Sequence, residues 1–594
     1  MASQEDKQLQ LTRQLMAHME RNGVNRRQFL RMLAMVGGGA SLSSLLAACG
    51  ASPSTPASNN GSASSDSSAA PEATTAPASN DAETAAEDTT TSEEAPAAGG
   101  ASSKLLVVAS GQDISNLDPH IGHDYSNASA QKAVYDTLFV YRNNPPEVKQ
   151  LLATEYSSND DATVWTFKLA ENAVFHDGTP VKASDVVYSA ERMLRKNKGA
   201  AWLFTSIIEE GSVVASDDKT VVFNLTVPFA PLPLILPWLF IVNEKVVKEH
   251  DVDGDEGEKW LMENEAGSGP FVIKSWNVGD SYEFTAVEDY WAGWEGDHAP
   301  GFIWKIVRES SSARLGMLNG DYHMAFDLSA EDAIALEETG DFVLNRQQGL
   351  GVFSIKMNNA KGPCSDVNVR KAISYAYDAE SVLAALNGLG VLLDGPLPNL
   401  GDYNNPNLNL YRFDMEKAKE ALAQSQYPNG GFELEYIYVT GLLIQEQIGL
   451  ILLDKLSELN ISLKMTPLVW PDMVARAQSP ETAADLMPVY AGTTYGDPDN
   501  FLWQAYHSSQ AGFWSAASHY KNPEFDALIE EARSTPDTAK RIELYHKAQE
   551  ILVNDCVEIW SHSEFLRVTW SKKVQGYNYC PIMGYYLRPV YLVD

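Results

Sequence analysis

Residues 434–465, LEYIYVTGLLIQEQIGLILLDKLSELNISLKM, change from one hydrophobic period to another and back. Apolar side chains alternate at both ends, as in half-buried strands, and recur every three to four residues in the middle, as in a helix. The strand positions are Leu434, Tyr436, Tyr438, Ile461, Leu463 and Met465, and the helical positions are Ile444, Ile448, Ile451, Leu452 and Leu459. A strand, a helix and a second strand form a β-α-β crossover, so the pattern predicts a parallel α/β sheet.

Further strand and helix patterns alternate on both sides of this stretch. Residues 165–169, WTFKL, alternate apolar and polar side chains like a strand, and Ser184 can cap a helix that runs to about residue 195. Asp366 can cap another helix, in which Val369, Ala372, Ile373 and Ala376 form one apolar stripe. We therefore expect an α/β globular body over residues 104–594, with ligands bound at strand ends or in a cleft.

Residues 1–48 have the features of an export leader. Arg26 and Arg27 precede a weakly apolar run and resemble a twin-arginine signal. The run ends in small residues followed by Cys49, which resembles the lipobox of bacterial lipoproteins. A retained transmembrane helix is the alternative, but three glycines at 37–39 argue against it, because a spanning helix needs about 20 strongly apolar residues. We expect lipidation at Cys49 and an extracytoplasmic, membrane-anchored protein.

Residues 49–103 differ sharply in composition from the rest of the chain. Ala, Ser, Thr, Pro, Asp and Glu dominate from residue 51 onward, and Lys104 is the first basic residue after the cysteine. Such a segment cannot bury enough apolar surface to fold, so we expect a disordered tether. A flexible chain of this length spans roughly 40 Å on average.

The formal net charge of −35 disfavours nucleic acid and anionic lipid head groups as partners, because like charges repel. Besides Cys49, the cysteines are Cys364, Cys556 and Cys580, without CxxC or Cys/His ligand spacing. No metal and no cofactor is therefore expected. At most one disulfide can form among the three, and Cys556–Cys580 is one hypothesis that the sequence leaves open.

Ten segments in order resemble the family 5 extracellular solute-binding proteins, the oligopeptide-, dipeptide- and nickel-binding type. They are NLDPH (116–120), VYDTLF (134–139), WTFKL (165–169), FHDGTPV (175–181), ASDVVYS (183–189), GSGPF (267–271), DYW (289–291), VRKAISYA (369–376), DPD (497–499) and NPEFD (522–526). The resemblance implies a two-lobed periplasmic-binding-protein-like fold (type II, cluster C) with a hinge. It implies lobe 1 at 104–351, completed by 569–594, and lobe 2 at 352–568. It also implies a monomer that delivers a solute to the permease of an ABC importer.

One departure from the family pattern bears on the ligand. In the dipeptide-binding relatives a segment of the type GDNGDPDNF carries an aspartate that pairs with the α-amino group of the peptide. The corresponding segment here is TTYGDPDNF (493–501), and Thr494 stands at the position of that aspartate. A hydroxyl carries no full negative charge, and a buried ammonium without a counter-ion is costly. A peptide held another way remains the leading expectation, and an oligosaccharide is the alternative.

The expected ligand-binding residues follow from family position and side-chain type. Tyr490, Thr493, Thr494 and Tyr495 are the main segment. Three tryptophans are candidates for stacking on the ligand. Asn116 lies where the first strand is expected to reach the cleft, and Phe353 and Asn358 lie near an expected crossing strand. The three tryptophans are Trp470, Trp503 and Trp514.

Two alternative functions belong to other classes. An exported hydrolase would use carboxylates such as Asp497 and Asp499, but we interpret these as a turn and a helix cap. The chain has no GxSxG, HExxH, Walker or GxGxxG motif after a strand, so we expect a binding protein without catalytic residues. A chemosensory receptor with the same binding fold is the other alternative.

Overall fold

The structure is a computed structural model that describes residues 103–582 and 584–593. The expected leader with Arg26 and Arg27, the lipidation site Cys49 and almost all of the expected tether lie outside the described residues. Within the described ranges, every helix is too short or too polar to span a bilayer.

The strands alternate with helices along most of the chain. The strands are β1 Leu106–Ser110, β2 Phe139–Arg142, β3 Glu147–Gln150, β4 Ala153–Ser158, β5 Val164–Leu169, β6 Val213–Ala215, β7 Thr220–Asn224, β8 Phe271–Asn277, β9 Ser281–Ala286, β10 Gly301–Ile306, β11 Met324–Phe326, β12 Phe342–Leu344, β13 Val352–Met357, β14 Gly390–Leu392, β15 Phe432–Val439, β16 Ile461–Leu468, β17 Leu486–Ala491, β18 Glu558–Glu564, β19 Val568–Ser571, β20 Val574–Gln575 and β21 Tyr591–Leu592.

The α-helices are α1 Tyr125–Val134, α2 Ala183–Lys196, α3 Leu232–Ile235, α4 Glu244–Glu249, α5 Glu258–Leu261, α6 Ser310–Asn319, α7 Ala330–Glu338, α8 Val367–Ala376, α9 Ala379–Ala385, α10 Met415–Ala423, α11 Leu443–Ser457, α12 Trp470–Arg476, α13 Pro498–Tyr506, α14 Pro523–Ser534 and α15 Thr538–Asn554. Short 3₁₀ turns lie at Gly199–Leu203, Leu236–Trp238, Pro363–Ser365, Gly401–Tyr403, Ser508–Gln510 and Trp514–Ala516.

Two large mixed sheets and a smaller one organise the chain. The seven-stranded sheet has the order β12-β19-β11-β1-β10-β9-β8, with β1 parallel to β10 and to β11. The six-stranded sheet has the order β14-β18-β13-β17-β15-β16. A four-stranded antiparallel sheet, β4-β5-β7-β6, accompanies the first. The mixed α/β architecture confirms the predicted fold class.

The β-α-β crossover predicted from residues 434–465 is confirmed. Strands β15 and β16 pair in parallel, with Leu434 opposite Leu463 and Tyr436 opposite Met465, and α11 connects them. The predicted apolar stripe of α11 packs into the core below this sheet through Ile448 and other residues. The two hydrophobic periods therefore correspond to two kinds of element, strand and helix, that share one core.

Helix starts follow side chains that accept backbone hydrogen bonds. Asp366 caps α8 as predicted and accepts from the backbone N–H of Asn368. The predicted cap at Ser184 is wrong by two residues, because α2 begins at Ala183 and Lys182 occupies the cap position. There the carboxylate of Asp185 accepts from the Lys182 N–H at 2.9 Å and satisfies a free donor of the first turn.

The apolar side chains form two principal cores. The larger runs from the seven-stranded sheet to helices α13, α14 and α15, and the second lies beneath β13, β15 and β16. Cys364 and Cys556 are both buried in the second core, whereas Cys580 packs at the edge of the first. All three thiols are free, so the Cys556–Cys580 hypothesis is wrong. The 23 residues between Cys556 and Cys580 carry the chain from one core to the other.

Candidate functional site

A cavity of about 320 Å³ lies among residues that are far apart in the sequence; we call it the aromatic cavity. Its size is at the lower end of the range for small-molecule sites, about 300–1,000 Å³. The lining residues are His123, Asp124, Tyr125, Trp202, Trp238, Val352, Ser354, Lys356, Pro396, Ala491, Gly492, Thr493, Thr494, Asn500, Phe501, Gln504, Ala505, Tyr506, Trp514, Ser515 and Gly584.

Aromatic rings from distant segments form much of the wall. Trp238 follows the α3 turn, and its indole Nε1 donates to the backbone oxygen of Thr494 at 2.7 Å. The ring of His123 packs edge-on against Trp238 with centroids 4.5 Å apart. This contact network positions the loop after β17 against the segment before α1. The cavity wall therefore combines aromatic rings with the loop that follows β17.

A buried charged network forms one side of the cavity. Lys356 on β13 pairs with Glu558 on β18, and both side chains are at most 4% exposed. The hydroxyl of Tyr506 donates to Glu558 at 2.7 Å and accepts from the indole of Trp560 at 2.8 Å. Burial raises the pKa of the Tyr506 hydroxyl well above its usual range, so it remains a neutral donor. The pair leaves this wall close to electroneutral.

Asp124 is the single acidic side chain that lines the cavity among the described residues. It caps α1, and its two oxygens accept from the backbone N–H and the side-chain amide of Asn127 at 2.8 and 2.6 Å. A carboxylate offers about four acceptor positions, so these two bonds leave capacity for a ligand donor.

The predicted segment 490–495 divides between cavity and core. Thr493 and Thr494 line the cavity, although the Thr493 hydroxyl already donates to the backbone oxygen of Leu350. Tyr490 is half exposed outside the lining, and its hydroxyl lies over Gly351. Tyr495 is buried, and its hydroxyl donates to Asp499 at 2.7 Å. Strand β17 ends at Ala491, so residues 493–495 lie in a loop where the alternation of a strand does not apply.

The three predicted tryptophans have different environments. Trp514 lines the cavity and contacts Trp470 edge-on with centroids 5.3 Å apart, while Trp470 itself is 41% exposed outside the lining. Trp503 lies away from the cavity, stacked between the ring of His507 and the guanidinium of Arg533, at 3.9 and 4.0 Å. Trp503 therefore makes structural contacts and is not a lining residue.

The remaining predicted residues do not reach the cavity. The side chain of Asn116 accepts from the Asp118 N–H at 2.8 Å and forms a turn. Phe353 is buried and stacks on His562 with centroids 4.6 Å apart. Asn358 is buried and donates to the backbone oxygen of Pro480 at 2.9 Å. On β13, Val352, Ser354 and Lys356 line the cavity instead, because alternate side chains share one face.

Asp497 and Asp499 do not form a catalytic carboxylate pair open to the cavity. Asp497 caps α13 and is held by Arg541, whose Nη2 lies 2.8 and 2.7 Å from its two oxygens. Asp499 is buried beside Tyr495 and Arg533. Burial raises the pKa of Asp499, and the nearby charge of Arg533 opposes that rise. The geometry agrees with the interpretation of DPD as a turn and a helix cap.

Residues 147–513 match the family model described as bacterial extracellular solute-binding proteins, family 5 Middle. Two curated relatives share 29% identity with the chain. One is a probable D,D-dipeptide-binding periplasmic protein of Escherichia coli, matched over 80% of this chain and 92% of the relative. The other is heme-binding protein A of Haemophilus influenzae, matched over 77% of this chain and 86% of the relative.

Solved structures support the same assignment at the level of the fold. HbpA2 from Haemophilus parasuis has a TM-score of 0.77 and 25% identity, covering 83% of this chain and 100% of its own. The periplasmic binding protein DppA from Helicobacter pylori, in complex with the peptide STSA, has a TM-score of 0.65 and 24% identity, covering 83% of this chain and 98% of its own. The family match spans more than half of the 594 residues. The chain therefore belongs to family 5 of the bacterial extracellular solute-binding proteins.

Proposed function

We propose that this chain binds a short peptide in the aromatic cavity and delivers it to the permease of an ABC importer. The observation that carries the proposal is a cavity with aromatic walls and one carboxylate, that of Asp124, which forms no ion pair among the described residues; residues 491–494 also line it. Peptides offer apolar side chains to such walls and an α-ammonium group to such a carboxylate. Two relatives support the same ligand class: the probable D,D-dipeptide-binding protein of Escherichia coli, and DppA of Helicobacter pylori in complex with the peptide STSA.

In this proposal Asp124 takes the role of the aspartate that the dipeptide-binding relatives carry at the position of Thr494. Its carboxylate accepts a hydrogen bond from the α-ammonium group of the peptide, while Trp238 and Trp514 contact the side chains of the peptide. A charge-assisted hydrogen bond of this kind is about twice as strong as a neutral one. The chain then needs no second carboxylate in the segment 493–501.

We further propose a division into lobe 1, 104–351 completed by 569–594, and lobe 2, 352–568. Sheet membership supports it, because the seven-stranded sheet uses β1, β8–β12 and β19, and the six-stranded sheet uses β13–β18. Residues 345–351 and 565–567 then connect the lobes, and ligand binding closes the hinge. X-ray scattering should record a smaller radius of gyration when peptide is added; an unchanged radius at saturation argues against closure.

Export through Arg26 and Arg27, lipid attachment at Cys49 and a monomeric state without catalytic turnover complete the proposal. Expression of Cys49→Ser should abolish partition of the protein into the detergent phase and metabolic labelling with fatty acid. Full labelling of that variant would exclude Cys49 as the acylated residue. Peptide recovered unchanged after long incubation supports a role limited to binding.

Calorimetry with dipeptides to pentapeptides, short neutral oligosaccharides and hemin tests the ligand class. We expect peptide binding that falls by about tenfold in Asp124→Asn and in Trp514→Ala, since each removes a contact worth about 1.4 kcal/mol or more. Trp276→Ala is the control, because Trp276 packs on Tyr282 at the sheet edge, away from the cavity. Binding of a sugar or of hemin without peptide binding would overturn the proposal.

A further inference from the structure

A second cavity, of about 730 Å³, lies away from the aromatic cavity and is lined by apolar side chains together with a cluster of charged ones; we call it the basic cavity. Its charged lining residues are three cations, Arg142, Lys149 and Arg588, and one acid, Glu295. Three asparagines, Tyr586 and Trp291 also line it; the asparagines are Asn143, Asn172 and Asn578. On a chain of net charge −35 such a local excess of positive charge attracts small anions.

The two guanidinium groups converge on one tyrosine. Arg142 lies 3.7 Å from the centroid of the Tyr586 ring, and its Nη2 donates to the Tyr586 hydroxyl at 2.5 Å. Arg588 Nη1 donates to the same hydroxyl at 3.3 Å. Lys132 adds a third positive charge 5.7 Å from the ring centroid. The stacked and hydrogen-bonded groups hold the guanidinium planes in place before any anion binds, which reduces the entropy lost on binding.

In the part of the chain that the structure describes, Arg142 and Arg588 have fewer carboxylates beside them than positive charges. One oxygen of Glu295 lies 3.8 Å from Arg142 and 3.6 Å from Arg588, and the Glu295 side chain is 56% exposed. Lys149 pairs with the exposed Glu147. The guanidinium groups of Arg142 and Arg588 therefore share a single, solvent-screened carboxylate.

Arg588 supplies a donor that no described residue accepts. Its side chain is 5% exposed, and its Nη2 donates to the backbone oxygens of Ala292 and Gly293. Its Nε is buried without a hydrogen-bond partner among the described residues. A buried donor left unpaired costs about 1–3 kcal/mol, so any acceptor that reaches this nitrogen stabilises the protein by removing that cost.

We propose that the basic cavity is a binding site for a small oxyanion, a carboxylate or phosphate carried by a low-molecular-weight solute, held between Arg142 and Arg588. Planar forks of guanidinium donors match the oxygens of either group. The site is separate from the aromatic cavity, and its assignment does not depend on the proposed function.

Calorimetry on the full chain at low ionic strength, with inorganic phosphate and citrate as separate probes, tests the proposal. We expect at least one probe to bind, and the probe that binds distinguishes phosphate from carboxylate chemistry. Affinity should fall about tenfold in Arg142→Gln and as sodium chloride is raised. In Glu295→Gln it should rise several-fold, because the competing carboxylate is neutralised.

Arg346→Gln is the matched control, since Arg346 makes a surface pair with Glu337 outside this cavity. Thermal unfolding checks that each variant is folded, and Glu295→Gln changes a mainly exposed side chain. Peptide affinity should be the same in Arg142→Gln and in the unmodified chain. Absence of binding by both probes, or equal losses in Arg142→Gln and Arg346→Gln, would overturn the proposal.

Discussion

Lys356 and Glu558 form a buried ion pair at the wall of the aromatic cavity, with Nζ 2.7 Å from a carboxylate oxygen. The two residues are neighbours across strands β13 and β18, directly opposite in the antiparallel register. Tyr506 adds a hydrogen bond to Glu558 from helix α13. The hydrogen bond of Tyr506 therefore joins the six-stranded sheet to the helix that carries Asn500 and Phe501 of the cavity lining.

Lys356→Met should lower the free energy of unfolding by about 3–5 kcal/mol, because it leaves the Glu558 charge buried without its partner. Urea unfolding measures the change. Lys464→Met is the control, since Lys464 makes a surface contact with Glu435 and should change stability by less than about 1 kcal/mol. The double variant Lys356→Met, Glu558→Leu should recover part of the loss. Equal stability of the two lysine variants would refute this account.

Gly492→Ala should separate peptide affinity from stability. Gly492 lines the cavity, and a Cβ built there meets no heavy atom within 4 Å. We expect a free energy of unfolding unchanged or raised by up to about 1 kcal/mol, because alanine restricts the unfolded chain. Peptide affinity should fall, because the methyl group occupies ligand space. Calorimetry and urea unfolding on the same sample measure both quantities.

Gly267→Ala provides the contrast for Gly492→Ala. A Cβ at Gly267 would lie 1.8 Å from the backbone oxygen of Val134, so the chain must shift. We expect a loss of at least about 2 kcal/mol in the free energy of unfolding. If Gly492→Ala were destabilised as much as Gly267→Ala, the open space assigned to Gly492 would be wrong.

Asp497→Asn should destabilise the fold without affecting peptide affinity. Asparagine can still cap α13, so the cap is kept, but Arg541 loses its buried counter-ion. We expect a loss of about 3 kcal/mol in urea unfolding. Peptide affinity measured well below the unfolding midpoint should stay within about twofold of the unmodified chain. A hydrolytic activity that disappears in this variant would instead favour the exported hydrolase.

His120 should make the stability depend on pH. Its Nε2 lies 3.0 Å from the Phe240 oxygen, and its Nδ1 lies 3.0 Å from Arg192 Nη1, which suits a neutral ring. Burial, reinforced by the charge of Arg192, lowers the pKa of His120 to about 4. The folded pKa lies below the unfolded value, so this contribution is complete above about pH 6.5 and is lost as pH falls toward 4.

Because of His120, the free energy of unfolding should be about 2 kcal/mol lower at pH 5 than at pH 7.5. Urea unfolding at both pH values should therefore give a larger loss for the unmodified chain than for His120→Gln, which has no proton to gain. NMR titration of the His120 ring gives the pKa directly. A ring pKa near 6.5, or the same pH dependence in both proteins, would contradict the assignment.

Much of the architecture was predictable from local sequence. The crossover of β15, α11 and β16 follows from a change in hydrophobic period that each segment carries by itself, and the Asp366 cap follows from a side chain that reaches its own helix. The family resemblance rested on similarly local motifs. The absence of a carboxylate at Thr494 was also readable directly, and it pointed toward a different ligand contact.

The membership of the aromatic cavity was decided by the tertiary structure. His123, Trp238 and Lys356 lie on three distant segments, and no periodicity or motif indicates that they meet. Hydrophobic period reports that a side chain is buried but not which segment covers it. For that reason Tyr495 and Phe353 could be predicted near the cavity while their rings pack into the core, and Cys556 and Cys580 could be paired although they lie in different cores.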